Sequence, residues 1–234
     1  MLAELARALA PTGMSLRGGF TPREADGVPL LRNGQRVQTL LLVGNVGGAM
    51  WLPFAASGAL QRFPDNPLDR WTVEVLEPIA ATLGIGIVYP FSGPPYYPFQ
   101  RWSTRAEALD VSPLRIFIHP LYGLWHAYRA AFLLADPVEL PARASTDSPC
   151  HSCADRPCLS ACPVNAFTPA AFDDRACAQH VDGPEGDECR LRGCLARRAC
   201  PVGRDYSYPT PKMAFHMEAF LKPRSLEPKA RLDD

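Results

Sequence analysis

No cysteine occurs in the first 149 residues of this 234-residue chain, no apolar run nears the length of a membrane span, and the charges cancel, with 24 lysines and arginines against 24 aspartates and glutamates. Each absence excludes something. The longest apolar stretches, such as residues 39–43 and 130–135, fall far short of the about 20 residues that a spanning helix needs. Balanced charge leaves no global field to attract a phosphate backbone or an anionic membrane. The opening Met-Leu-Ala-Glu-Leu-Ala-Arg has an early acid and no long apolar run before Pro11, so a signal peptide is not expected. The reading is a cytoplasmic protein of one domain or two, in a compartment that keeps thiols reduced.

All eight cysteines fall between residues 150 and 200. Cys150, Cys153, Cys158 and Cys162 are spaced C-x2-C-x4-C-x3-C with Pro163 next, while Cys177, Cys189, Cys194 and Cys200 close with Pro201. Two sets of four, each ending in Cys-Pro, predict two metal centres. Thiolates two residues apart on a tight loop can grip one iron-sulfur cube, and the Cys-Pro at the end of such a run ligates the other cluster in two-cluster ferredoxins. The ligands should therefore interleave, with one 4Fe-4S cluster on Cys150, Cys153, Cys158 and Cys200 and the second on Cys162, Cys177, Cys189 and Cys194. Three other readings stand beside this one. A disulfide framework belongs to secreted and typically short chains. Structural zinc often uses paired C-x2-C knuckles, and here there is one. Unligated cysteines would scatter through the core rather than crowd into a charged, Pro-rich segment.

Ahead of the cysteines, apolar periodicity predicts a short helix over residues 1–10, a doubly buried strand over Leu40–Val43 followed by a helix, and a helix over 69–83 bent at Pro78. Strands are predicted at 85–89, 114–118 and 125–134, with a helix at 101–109 between them. This alternation argues for an α/β or α+β layer with a mixed sheet. Gly44, Gly47 and Gly48 read as a strand-to-helix turn, since their G-x-x-G-G spacing is not the dinucleotide-binding G-x-G-x-x-G. The expected units are residues 1–145, 146–208 and a C-terminal helix and tail, 209–234, whose Met213, Met217 and Phe220 pack back on the first unit. A helix is also predicted over 172–180.

The cysteine segment resembles the cluster domain of epoxyqueuosine reductases and reductive dehalogenases, in which a lone cysteine like Cys177 precedes a group like Cys189, Cys194 and Cys200-Pro201. That resemblance implies a small, loop-rich, ferredoxin-like two-cluster domain. The preceding unit resembles the cobalamin-processing family of methylmalonic aciduria and homocystinuria type C. Ile118-His119-Pro120, Gly123, Trp125, Ala127, Arg129 and Leu133-Leu134 carry that likeness, with Asn66-Pro67-Leu68-Asp69 upstream. It implies an α+β fold of the flavin-reductase and nitroreductase kind and a pocket for a base-off corrinoid, with Arg129 where the thiol cosubstrate reacts. Arg129, Trp125 and His119 are thus the candidate cofactor-binding residues. Each has a plainer reading. An arginine can simply pair with a carboxylate such as Asp136, a histidine before proline often bonds to backbone, and only one of Trp125 and Tyr128 should face a pocket. Trp102, Tyr96 and Tyr97 could wall a flat ring or merely fill a loop. Arg115 stands where that family keeps a small residue.

Together these readings suggest an iron-sulfur oxidoreductase that passes single electrons through two 4Fe-4S clusters to cobalamin or flavin. The alternative is a non-catalytic ferredoxin-like electron-transfer partner without an organic cofactor. Arg156, Arg190, Arg192, Arg197 and Arg198 lie among the ligands and either raise cluster potentials or form a solvated surface offset by acids such as Asp187 and Glu188. The partners implied are an electron-donor or client redox protein, a corrinoid small molecule and a second copy in a homodimer. Nucleic acid and membrane are not expected, which counts against a tRNA-modifying reductase.

Overall fold

Leu40, Leu41, Leu42 and Val43 are each 1% exposed or less, because the strand carrying them lies inside a sheet covered on both faces. The computed structural model describes residues 1–143 and 147–225. Its main sheet joins β1 (Ser15–Phe20), β2 (Thr39–Val46), β3 (Gly86–Val88) and β6 (His126–Leu134) in the order β1-β2-β6-β3. On one face, α5 (Phe99–Ala106) packs Phe99, Trp102 and Ala106 against Leu40, Leu42, Ala131 and Leu133. The alternate residues Leu41, Val43, Ala130 and Phe132 point the other way and are also buried. On that side lie α1 (Leu2–Leu9) and α4 (Pro67–Leu83), the latter running through Pro78 and ending at Gly84 with φ 64°. Two short helices, α2 (Trp51–Ala56) and α3 (Ala59–Arg62), link β2 to α4.

Every described pairing in this sheet is antiparallel, which corrects the expected mixed sheet. The alternation of strands and helices, as from β2 through α4 to β3, argued for that mixed sheet. Both strands do run parallel, since each is antiparallel to β6, but β6 inserts between them and takes the hydrogen bonds of both. Strand β1 escaped the sequence reading because Ser-Leu-Arg-Gly-Gly-Phe has no clean alternation. A bulge there sets Arg17 and Gly18 opposite the single residue Leu42, with Gly18 at φ 72°. A second bulge lies in β6, where Val43 pairs with Ala130 and Gly44 with Tyr128, leaving Arg129 as the extra residue. Gly44 is required at that point, because a Cβ there would stand 2.1 Å from the Ala127 carbonyl oxygen.

Contacts divide the chain into two compact units, residues 1–110 with 125–148, and residues 111–124 with those from 149 onward. The boundary expected at residue 145 and the tail beyond residue 225 lie outside the described residues. The predicted strand at 114–118 shrinks to β5 (Phe117–Ile118), which pairs with β4 (Asp110–Val111). Pro113 has no N–H to donate, and Arg115 turns the chain at φ 62° while Ser112 bonds to Ile116 O.

The second unit holds α6 (Pro157–Ser160), α7 (Asp174–Asp182), α8 (Asp187–Arg192), α9 (Leu195–Ala199) and α10 (Thr210–Ser225). Helix α10 belongs to this unit, not to a third segment, because Met213 seats on Gly193 and the Phe220 ring lies 6.4 Å from Phe172. Among the described residues no helix is long and apolar enough to cross a membrane.

Candidate metal centre

Cys150, Cys153, Cys158 and Cys200 line one cavity of the second unit, together with Arg156, Pro157 and Pro201 and the apolar Leu114, Ile118, Leu124 and Val202. Local sequence explains how four residues so far apart in the chain converge. Pro157 opens α6 after Arg156 turns at φ 40°, a use of proline at the first helical position that wastes no donor. Cys158 is thereby set one step into the helix, facing back to the Cys150–Cys153 loop. Cys200 ends α9, and Pro201 stops the helix from continuing. The chain after it is clamped by backbone interlock. His119 and Gly123 form a tight hairpin, and a Cβ on Gly123 would stand 2.1 Å from Val202 O. Burial pushes the Cys158 thiol up, and negative charge on Cys200, Cys150 and Cys153 adds to the rise. Cys200 is likewise raised by burial, with Cys153 adding, while the Val202 N–H and Arg204 oppose it.

Of the other four cysteines, Cys194 stands at the start of α9 with Cys189 and Cys162 as its neighbours. Burial raises the Cys194 thiol, its neighbours Cys189 and Cys162 push the same way, and hydrogen bonds from the Arg197 and Ala196 backbone favour the thiolate. The Cys162 Sγ accepts from Ala166 N at 3.3 Å. Cys177 sits on α7, which starts where Asp173 accepts from Ala176 N at 2.9 Å, and packs on the same apolar cluster as Cys162 and Cys194. Among the described residues, which include all eight cysteines, no disulfide forms. No three His, Cys, Asp or Glu side chains there are spaced to hold a single ion. A cube spreads its four thiolates over four irons, so its ligands stand wider apart than those of one ion.

Of the arginines between the ligands, most are tied to acids at the surface. Arg190 pairs with Asp187, Arg192 with Glu188 at 3.5 Å and Arg198 with Glu188 at 2.7 Å. Such exposed pairs carry little energy. Arg197 differs, donating to the Leu124 carbonyl and resting 4.7 Å from the Tyr208 ring centroid.

The candidate pocket residues are split between the units. Arg129 and Trp125 belong to the first and His119 to the second. Arg129 leaves the β6 bulge to reach α4, donating to Asp69 Oδ1 at 2.6 Å and to Thr72 Oγ1 at 3.0 Å, so its carboxylate partner is Asp69 and not Asp136. Trp125 is 1% exposed. The His119 Nδ1 accepts from Leu121 N at 3.0 Å and Tyr122 N at 3.2 Å, and its ring stacks on Tyr122. Trp102 is a core residue whose Nε1 donates to Asp26 O at 2.8 Å, with Tyr97 stacked on it, while Tyr96 is exposed. Arg115 donates to the carbonyls of Pro169 and Ala170.

One buried polar cluster had no signal in the sequence. Arg17, 2% exposed, holds Glu107 by two hydrogen bonds at 2.8 and 2.9 Å, and the Tyr128 hydroxyl donates to the same carboxylate. Burial, and then the Glu107 charge, push the Tyr128 phenol far above its ordinary range. The residues of this cluster lie 21 to 111 positions apart and meet through strand bulges, which no local pattern announces.

No protein-family model matches the chain, and no characterised protein matches it by sequence. Solved structures do. The epoxyqueuosine reductase of Bacillus subtilis is 16% identical and superposes with a TM-score of 0.50 over 91% of this chain and 67% of its own. The B12-trafficking protein CblC of C. elegans, a homologue of human MMACHC, is 14% identical with a TM-score of 0.50 over 97% of both chains. The chain shares a fold with each. A further epoxyqueuosine reductase, solved with a modified tRNA stem loop, is 15% identical with a TM-score of 0.49. The expectation of no nucleic-acid partner finds no support in these neighbours.

Proposed function

We propose that the chain is an iron-sulfur redox protein that carries single electrons through two 4Fe-4S clusters to a corrinoid or a flavin. The observation that carries this reading is the meeting of Cys150, Cys153, Cys158 and Cys200 around one cavity of the second unit. Those four would hold one cube, and Cys162, Cys177, Cys189 and Cys194 the other. The residues fit such groups in chemistry as well as number. The cavity wall is apolar apart from Ser112, Arg156 and the thiols, and backbone N–H groups point at the Cys162, Cys194 and Cys200 sulfurs. Hydrogen bonds of that kind tune potentials that otherwise range over roughly −700 to +450 mV. The second unit is then ferredoxin-like and the first a flavin-reductase or nitroreductase-like α+β unit.

When bound, the clusters supply one-electron chemistry. The chain's own residues fix their position, exclude water with the Leu114, Ile118, Leu124 and Val202 wall, and soften the charge of the thiolates. A donor redox protein would reduce them, and an organic cofactor on the first unit would accept the electrons. Arg129 and Trp125 are the residues of that unit proposed to meet the cofactor.

A specific observation favours the alternative of a non-catalytic electron-transfer partner. Arg129 is held by Asp69 and Thr72, His119 by backbone N–H groups, and Trp125 is fully buried. Anaerobic purification with iron and sulfide analysis, followed by cobalamin and flavin titrations watched by visible absorption, tests both. The cluster reading expects brown protein with about eight irons per chain; colourless protein made without oxygen refutes it. Saturable corrinoid or flavin binding excludes the non-catalytic alternative, and turnover that requires tRNA would point to a tRNA-modifying reductase instead.

A further inference from the structure

Electrons must enter the second unit somewhere, and its two cysteine groups are covered unequally. The loop that carries Cys150 and Cys153 is exposed at His151, Ser152, Ala154, Asp155 and Arg156. Beside Cys194 the chain is buried at Gly193 and Ala196, and Met213 closes over Gly193, where a Cβ would stand 2.8 Å from the methionine side chain. Electron hops weaken steeply with distance, so a donor gains most by seating on the thinner cover.

Charge is divided unequally as well. Near the second group, Arg190, Arg192 and Arg198 are paired with Asp187 or Glu188. At the first, Arg156 lines the cavity of Cys150, Cys153, Cys158 and Cys200, and the Arg204 charge favours the Cys200 thiolate. Both arginines are exposed, and among the described residues neither has a carboxylate within ion-pair distance. Asp155 and Asp205 adjoin them in the chain and oppose them, but it is Arg156 that lines the cavity and Arg204 that bears on Cys200. The molecule as a whole carries no net charge, so these two cations act locally, over a Debye length of about 8 Å at physiological salt. A positive rim of this kind speeds encounter with an anionic partner by about 10- to 1,000-fold.

Resting on the cluster reading above, we propose that the Cys150–Arg156 loop and Arg204 form the docking surface for a small acidic one-electron donor protein, with Arg156 and Arg204 steering its anionic face onto the cluster held by Cys150, Cys153, Cys158 and Cys200. The donor loses one electron and this cluster gains it, with no bond made or broken. The second cluster is then filled from the first.

The test is stopped-flow reduction of the anaerobically purified full chain by flavodoxin hydroquinone, an acidic one-electron donor, with reduced methyl viologen, a cation, as the contrast. Arg156→Gln with Arg204→Gln should lower the second-order rate constant with flavodoxin about tenfold at low salt, and the gap should close in about 0.5 M salt. Asp155→Asn with Asp205→Asn should raise that constant. Viologen should reduce the arginine variant no more slowly than the wild type. Unchanged flavodoxin rates, equal slowing with both donors, or no transfer from flavodoxin to iron-loaded wild type would each overturn the proposal while leaving the clusters intact. Should the double variant lose iron, Arg204→Gln alone decides the matter. Wild-type protein without iron would instead overturn the cluster reading itself, and this inference with it.

Discussion

The Arg17–Glu107 pair offers a quantitative test of how the first unit is held together. Replacing Glu107 with leucine leaves a guanidinium that is 2% exposed facing an apolar group, and strands the Tyr128 hydroxyl as well. Removing one member of a buried pair costs about 3–5 kcal/mol, since the remaining charge is uncompensated. The structure gives a second route to that figure. Two hydrogen bonds to a charged group are lost, at 2.8 and 2.9 Å, and each is worth about 1.5–3 kcal/mol. With a urea dependence of about 2 kcal/mol per molar, the unfolding midpoint should fall by about 2 M. Tryptophan fluorescence reads this unit selectively, because Trp51, Trp71, Trp102 and Trp125 all belong to it. The double variant Arg17→Met with Glu107→Leu should recover most of the loss, as apolar replacement of a buried pair is often neutral. A single-variant cost below about 1 kcal/mol, the range of exposed pairs, would refute the reasoning. So would a double variant as unstable as the single one.

Cys158→Ser and Cys194→Ser should each remove about four irons per chain and leave the other cluster's signal in place; loss of a single metal ion in either would favour zinc. Gly203→Ala should destabilise the second unit by about 2–5 kcal/mol in thermal melts followed by far-ultraviolet circular dichroism, since Gly203 has φ 69° and its Cβ would stand 2.4 Å from the Tyr122 carbonyl. Tyr128 stays protonated in the fold because of its burial and of Glu107. The unfolded chain loses that proton near pH 10 and so binds fewer protons, and stability should fall as pH rises beyond about 10. Tyr128→Phe should flatten that alkaline loss, and an unchanged slope would show that the phenol is not responsible.

What the sequence disclosed depended on whether neighbours in the chain are also neighbours in space. Leu40–Val43 and residues 126–134 announced their strands because a doubly covered strand must be apolar throughout. Helix α4 showed its stripe and its Gly84 stop for the same local reason. The nearness of Cys200 to the Cys150–Cys158 run, with which it lines one cavity, was also legible, since Cys-Pro marks where a ligand run ends. Bulges were not. Arg129 was singled out by resemblance, yet its partner Asp69 could be found only once the extra residue in β6 turned the side chain toward α4. Arg17 and Glu107 gave no sign at all. The sign was weak but present at Gly18-Gly19, where a positive φ was open to the chain and a strand with two glycines invites a bulge.

The Ile118-His119-Pro120 to Leu134 motif looked like one functional block, and the structure divides its labour. Residues 118 to 123 form a hairpin in the unit that holds the cysteines, and residues 126 to 134 are the inner strand of the other unit. In the first part, Gly123 lets the hairpin backbone lie against Val202, two residues past Cys200. The His119 ring accepts two backbone hydrogen bonds at its Nδ1 and so stiffens that same hairpin. That nitrogen is spoken for by the hairpin. In the second part, the bulge at Arg129 spends one guanidinium edge on Thr72 and Asp69. A His119→Gln variant can offer an oxygen acceptor to the hairpin without a ring nitrogen to offer a cofactor. If His119 only braces Cys200, that variant should retain both clusters and any corrinoid affinity. If Nε2 serves the cofactor, affinity should drop in a cobalamin titration while the iron content holds.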